Sequence, residues 1–299
     1  MSIRPVDLPE IRAELTTYNQ SPEGIAGWAK REFDPASEVV DSDGSILVCD
    51  PSPEERRSFE TSRLEKAELF FVSAEMGRLA MAAGASLPNF QVEEFDLPSP
   101  YGFMVFEEPI DAESYEGISV PICGVSWSTA HNPELGTDLW LSWYTDTHRI
   151  QSPWRLSGPR FHYTQDSEWS FGRANDAAPD EGSELFNWGR AVVAAWLLMQ
   201  QPLARVTEAE LDRSARKRLR RAGSEPAAVR VITLRRPKAS GGPGESDREY
   251  HHQWIVRGHW RQHWYPKRQV HRPVWIAPHI KGPEGAPLIG GEKVYALKR

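Results

Sequence analysis

The nine consecutive residues 191–199 (AVVAAWLLM) are all apolar. A helix through them has no face to offer to water, so the rest of the chain must cover it on several sides. Ser183 is a natural N-cap for that helix. Leu185, Trp188, Val192, Ala195, Trp196 and Met199 then share one of its faces. The run is too short to span a bilayer, which takes ~20 residues. It therefore predicts a helix buried against a sheet, with tryptophans as core material and no membrane role.

Candidate strands for that sheet precede it. Residues 103–106, 118–122, 139–144 and 161–163 are short β-prone runs separated by Pro and Gly. Residues 46–49 read as another, after a turn at 41–45. Residues 9–19 read as a small helix. Ser52 opens a longer one, with Pro53 at its first position and Glu55 completing a capping box. Leu64, Ala67, Phe71 and Ala74 continue at helical spacing, Phe70 and Met81 widen the stripe, and Gly84 and Pro88 end it. The charged residues between these positions read as a solvated face. A carboxylate and histidine pair among Asp138, Asp146, His148 and His162 could form a metal or acid–base site, but their spacing matches no ligand motif and they read as surface residues. Cys49 and Cys123 read as small buried side chains rather than a disulfide or a metal pair. The first residues lack a signal pattern, and the cytoplasm is the expected location.

The net charge of −7 hides a split. Residues 205–299 hold 21 Lys plus Arg against 9 Asp plus Glu, while residues 1–204 hold 14 against 33. A basic last third on an acidic body points to a polyanion partner for the former. Thr207 and Glu210 form a second capping box and predict a helix with a narrow stripe of Leu211, Ala215, Leu219 and Ala222. Its remaining positions are basic: Arg213, Arg216, Lys217, Arg218, Arg220 and Arg221. Cations late in a helix complement its dipole. Six within nine residues exceed that need, and Arg213, Arg216, Lys217 and Arg220 become candidate RNA contacts. The chain thus reads as an α+β protein in three parts. Residues 1–204 form an acidic domain of helices and antiparallel sheet, and residues 205–228 a basic connector helix. Residues 229–299 form a small antiparallel sheet or open barrel, closed by a strand at 293–297.

Within that last part, residues 250–281 hold six of the nine histidines and four tryptophans. Read as strands, Trp254, Val256, Trp260 and Trp264 share one face, and Arg257, His259, Arg261 and His263 the other. After a turn at 265–267, Val274, Ile276 and Ile280 line one side, and His271, His279 and Lys281 the other. In one reading this surface handles RNA: Arg257, Arg261, Arg272 and Lys281 hold phosphates while aromatics stack on unpaired bases. Cleavage there would use His259 with His263, His271 or His279 as general acid and base. Arg261 or Lys281 would stabilise the phosphorane, and the substrate's own 2′-hydroxyl would attack, with no metal or cofactor. In a second reading three histidines bind zinc, but no cysteine assists, and the i, i+4 spacing of His259 and His263 suits a helix rather than a strand. In a third the histidines are structural.

The segments ITLRRP (232–237), WIVRGHWR (254–261), HRPVWIAP (271–278) and HIKGP (279–283) resemble a family of proteins from actinobacteria, their phages and mobile elements. That family includes the C-terminal part of the anti-CRISPR inhibitor of the type V-A effector nuclease. The resemblance covers residues 229–299. It implies a regulator whose first part engages a protein target, a nascent or ribosome-associated chain, and whose second part brings about destruction of the message. It assigns no target to this chain and no role to the shared residues. The alternatives are a protein-binding inhibitor with no nucleic-acid role and a metal-independent, toxin-type ribonuclease.

Overall fold

The computed structural model describes residues 2–30, 39–40, 46–48, 52–90, 92–115, 117–132, 136–150, 158–170, 183–221, 226–235 and 253–283. Cys49, His251, His252, the turn at 41–45, the C-terminal end of the basic helix at Ala222 and the strand expected at 293–297 lie outside the described residues.

Helices α1 (Leu8–Gln20), α2 (Pro22–Ala29) and α3 (Pro53–Lys66) come first, with a small ladder of β1 (Val39–Val40) and β2 (Ile46–Val48) before α3. Then follow β3 (Glu68–Val72), α4 (Ala74–Ala85), β4 (Tyr101–Phe106) and a hairpin of β5 (Asp111–Tyr115) and β6 (Ile118–Ile122). Three long strands come next: β7 (Gly124–Asn132), β8 (Gly136–Asp146) and β9 (Phe161–Ser170). After α5 (Glu184–Met199) come β10 (Ala204–Ala209), α6 (Arg213–Arg221) and β11 (Val229–Leu234). The described chain closes with β12 (Trp254–Val256), β13 (His259–Tyr265), β14 (Val270–Ile276) and β15 (His279–Lys281).

Seven strands form one sheet in the order β10-β11-β3-β4-β7-β8-β9. The sequence predicts an antiparallel sheet, but β11, β3 and β4 run parallel and the other neighbours antiparallel. Successive side chains alternate between its faces. Phe70, Val72, Met104 and Phe106 pack with α4 and α5, whereas Leu69, Phe71, Phe103 and Val105 pack with α1 and α3. The apolar run of α5 lies in the first of these cores, as expected: Trp188 and Trp196 are fully buried, with ring contacts to Trp143 and Trp127. The protein is therefore a mixed α+β fold with a helix layer on each side of a central sheet, plus small C-terminal antiparallel ladders.

Several local expectations change. The helix expected to run from Ser52 to Gly84 is two helices with β3 between them. Glu68–Val72 is a central strand with apolar side chains on both faces, and such a run also fits helical spacing over short stretches. Ser73 caps α4 by accepting from the Met76 amide. Thr207 lies in β10 opposite Val231, so it caps no helix; α6 starts later, and Asp212 accepts from the Ala215 amide at 2.7 Å. Residues 229–234, expected in the C-terminal part, fill the place between β10 and β3 in the large sheet. Asp146 is not a surface residue: it is fully buried, 2.8 Å from Arg160.

Helices α4 and α5 touch at Gly84. A Cβ there would lie 2.8 Å from the Ala191 amide nitrogen and 2.9 Å from its Cα. Gly84→Val is expected to force the helices apart and cost about 1–3 kcal/mol, the usual range for overpacking. Denaturant unfolding checks this; a loss within about 0.5 kcal/mol would show that α4 yields there as a surface site does.

Candidate nucleic-acid interface

Helix α6 owes its position to three small apolar contacts. Leu211, Ala215 and Leu219 are buried together, with Val6 against them. At its start the Asp212 carboxylate accepts from the Ala215 amide and the Ser214 hydroxyl, both at 2.7 Å. These bonds hold that carboxyl below its usual range. Of the six cations of α6, Arg218 faces Glu10 at 3.4 Å. Arg213, Arg216, Lys217, Arg220 and Arg221 are exposed, and among the described residues none of them makes an ion pair. With Ser214 they line an open groove of about 850 Å³. Like charges crowded on one exposed helix repel each other, and a polyanion relieves that repulsion.

A second cavity, of about 840 Å³, lies between α1, the segment 158–160 and the far end of α6. It is also lined by arginines, but each already has a carboxylate: Arg4 with Asp7 at 2.8 Å, Arg160 with Asp146 at 2.8 Å, and Arg218 with Glu10. This cavity therefore has less to offer an anion than α6 has. Cys123 offers no nucleophile, because burial pushes its thiol up to about 11.

The C-terminal ladders sit elsewhere. Trp260 donates its Nε1–H to the Ala83 carbonyl of α4 at 2.8 Å and meets buried Trp275 edge-on at 5.2 Å. The hairpin thus docks on the α4–α5 side of the sheet, whereas α6 packs beside α1. The cations of the connector helix and those of the C-terminal ladders thus lie on two different sides. Gly258 belongs to this docking: a Cβ there would lie 2.4 Å from the Trp275 ring.

Strands β12 and β13 are not one continuous strand. β12 pairs with β15, and β13 with β14. The turn sets a register in which Tyr265 faces Val270, Trp264 faces His271, His263 faces Arg272 and Arg261 faces Val274. Directly opposed residues share a face. Val274 and Ile276 therefore lie on the same side as Arg261 and His259, and His271 lies beside Trp264, its ring 4.8 Å away. The segregation of apolar and cationic faces expected from alternation is broken by the parity of the connecting turn.

This arrangement separates His259 from His263 and from His271. His259, Arg261, His263, His271, Arg257 and Lys281 are exposed. His259 and His271 are five register steps apart on opposite faces, about 17 Å along the strand. His259 and His263 share a face about 14 Å apart by the same rise. Neither pair can work as a joined acid and base. The Nδ1 atoms of His259 and His279 lie 3.0 Å from the carbonyls of Arg257 and Ala277. Arg272 is not available to a phosphate: it is buried, 2.7 Å from Glu93 and 3.2 Å from Asp96, with its guanidinium 4.7 Å from the Phe95 ring. Among the described residues no group of three His, Cys, Asp or Glu side chains is placed to hold a metal ion.

Nothing in the sequence hints at a buried polar cluster under α3. Glu60 accepts from the Ser126 hydroxyl at 3.0 Å, the Ser142 hydroxyl at 2.8 Å and the Tyr144 hydroxyl. Arg63 lies 2.7 Å from the same carboxylate. All five residues are 2% exposed or less. Sealed from solvent, the cluster is a structural element rather than a site.

No protein-family model matches the chain, and no curated protein sequence does. Among solved structures the chain is similar to the crystal structure of AcrVA2, with 12% sequence identity, 89% of this chain and 85% of that chain covered, and a TM-score of 0.38. Likeness at that level assigns no residue a role.

Proposed function

We propose that the chain is an RNA-binding regulator of the anti-CRISPR type, with α6 as its phosphate-binding element. The observation that carries RNA binding is the set of five exposed cations on α6 without a carboxylate partner among the described residues. The anti-CRISPR character rests on the sequence resemblance alone. In this reading the acidic first part engages the protein target and RNA lies along α6. Turnover is not part of this reading: the β13–β14 register separates His259 from His263 and His271, and the Nδ1 atoms of His259 and His279 are each engaged by a backbone carbonyl.

Anisotropy of a labelled single-stranded RNA, from about 50 to about 200 mM salt, tests it. The affinity is expected to fall steeply with salt. Changing Arg213, Arg216, Lys217 and Arg220 together to Ala is expected to lower the slope of log K against log salt by about 3, at ~0.7 for each phosphate no longer neutralised. Leu211, Ala215 and Leu219 stay in place, so the helix keeps its seat. No binding at low salt, or a slope unchanged by the fourfold variant, refutes the reading and leaves a protein-only partner.

A further inference from the structure

We infer that the tip of the β13–β14 hairpin is a stacking platform for unpaired bases, so that the RNA this chain holds is single-stranded. The inference rests on the RNA reading above, but on a different surface. Trp264 and Tyr265 are among the most exposed large aromatic side chains described, at 45% and 39%. As neighbours in one strand they point to opposite faces, so the tip carries an aromatic ring on each side. Each ring has an imidazole beside it: His271 is 4.8 Å from Trp264, and His263 is 4.9 Å from Tyr265 and edge-on to it.

The hairpin is seated from below and tied at its turn. Trp260 and Trp275 seat the base of the hairpin on α4 and α5. At the turn, the Arg268 guanidinium lies 4.3 Å from the Phe95 ring. A rigid, exposed indole loses little freedom when a ring stacks on it.

Charge selects the partner. Residues 253–283 contain no Asp or Glu, while Lys267 stands exposed in the turn that follows the two rings and Arg261 is exposed further down the strand, on the face of Tyr265. Aromatic faces interleaved with unpaired cations suit a strand whose bases are free to splay and whose phosphates follow close by. A duplex hides its base faces in the stack and can use only the cations. An apolar membrane surface fits poorly, because each exposed ring has an imidazole beside it and the turn between the strands carries Lys267 and Arg268.

The test compares the affinity of the full chain for a single-stranded RNA and for a duplex of the same length. Trp264→Ala is expected to weaken single-strand binding by roughly 5- to 150-fold, the range for loss of one stacked base. The salt slope should stay unchanged, since every phosphate keeps its cation, and duplex binding should hardly move. Trp264→Phe, which keeps a ring, is expected to recover most of the affinity and guards against a folding artefact. Indole emission should be quenched by single-stranded RNA in wild type and less so in Trp264→Ala. Equal single-strand affinity in wild type, Trp264→Ala and Tyr265→Ala, with the α6 salt slope intact, overturns the stacking inference and leaves the RNA reading standing. Absence of RNA binding in wild type overturns both, as does capture of the tip by lipid vesicles in place of RNA.

Discussion

Glu60→Ala is expected to destabilise the fold by about 3–5 kcal/mol, the usual loss when one partner is removed from a buried ion pair. Glu60 and Arg63 are each 2% exposed, and the carboxylate is the shared acceptor for Ser126, Ser142, Tyr144 and the guanidinium. Alanine leaves the Arg63 charge without its counter-ion in a place water does not reach, and takes the acceptor from three hydroxyls. The Arg63 guanidinium retains the Ser142 hydroxyl at 3.2 Å and the Phe59 ring at 4.8 Å, neither of which neutralises it. Glu60→Gln keeps the shape but not the charge and is expected to lose much of the same stability. Changing Glu60 and Arg63 together to Met removes both charges, and the double variant should be markedly more stable than Glu60→Ala. Urea midpoints at constant m-value check the series. A Glu60→Ala loss below about 1 kcal/mol, the value of an exposed pair, would mean that water reaches the cluster.

That cluster also shows where the sequence stops being readable. Glu60 and Arg63 are spaced i, i+3 in a charged helix, the pattern of a solvated ion pair. What buries them is the sheet face beneath α3, where Ser126 and Ser142 of β7 and β8 replace apolar side chains. No local window contains that information. By contrast, the helix of residues 191–199 is legible because its composition admits one solution. The caps at Ser52 and Ser183 are legible because capping is local. Thr207 misleads for the opposite reason: a capping-box pattern occurs in a segment that pairing with β11 claims as a strand. In the C-terminal stretch, alternation correctly marks strands, but the face each residue joins depends on the parity of a turn. A one-residue difference there moves Val274 and His271 to the other side. The cations of α6 are legible as a surface. Arg272 is not, since its carboxylates come from residues 93 and 96, far back in the chain.

Arg272→Ala is accordingly expected to loosen the hairpin rather than to weaken a phosphate contact, at a cost of about 3 kcal/mol. Arg272 and Asp96 are both buried, and Arg272 joins β14 to the segment before β4 through Glu93, Asp96 and the Phe95 ring. Asp96 keeps one donor, the Glu93 amide at 2.9 Å, which puts the loss at the lower end for a broken buried pair. Amide hydrogen exchange in residues 259–276 should rise, while that of the α1–α3 layer should not. The effect has a pH signature. Burial raises the Asp96 carboxyl above its usual value, and Arg272 opposes that rise. Without Arg272 the carboxyl rises further. A carboxyl whose folded value lies above its unfolded value favours the fold when protonated, and that advantage is lost as pH rises through the folded value. The stability deficit of Arg272→Ala should therefore be smallest in acid, grow as pH passes through the folded value of Asp96, and level off toward neutrality. A deficit independent of pH would place the role of Arg272 in its packing on Phe95 alone. Unchanged exchange in the hairpin would mean that Trp260 and Trp275 hold it without help.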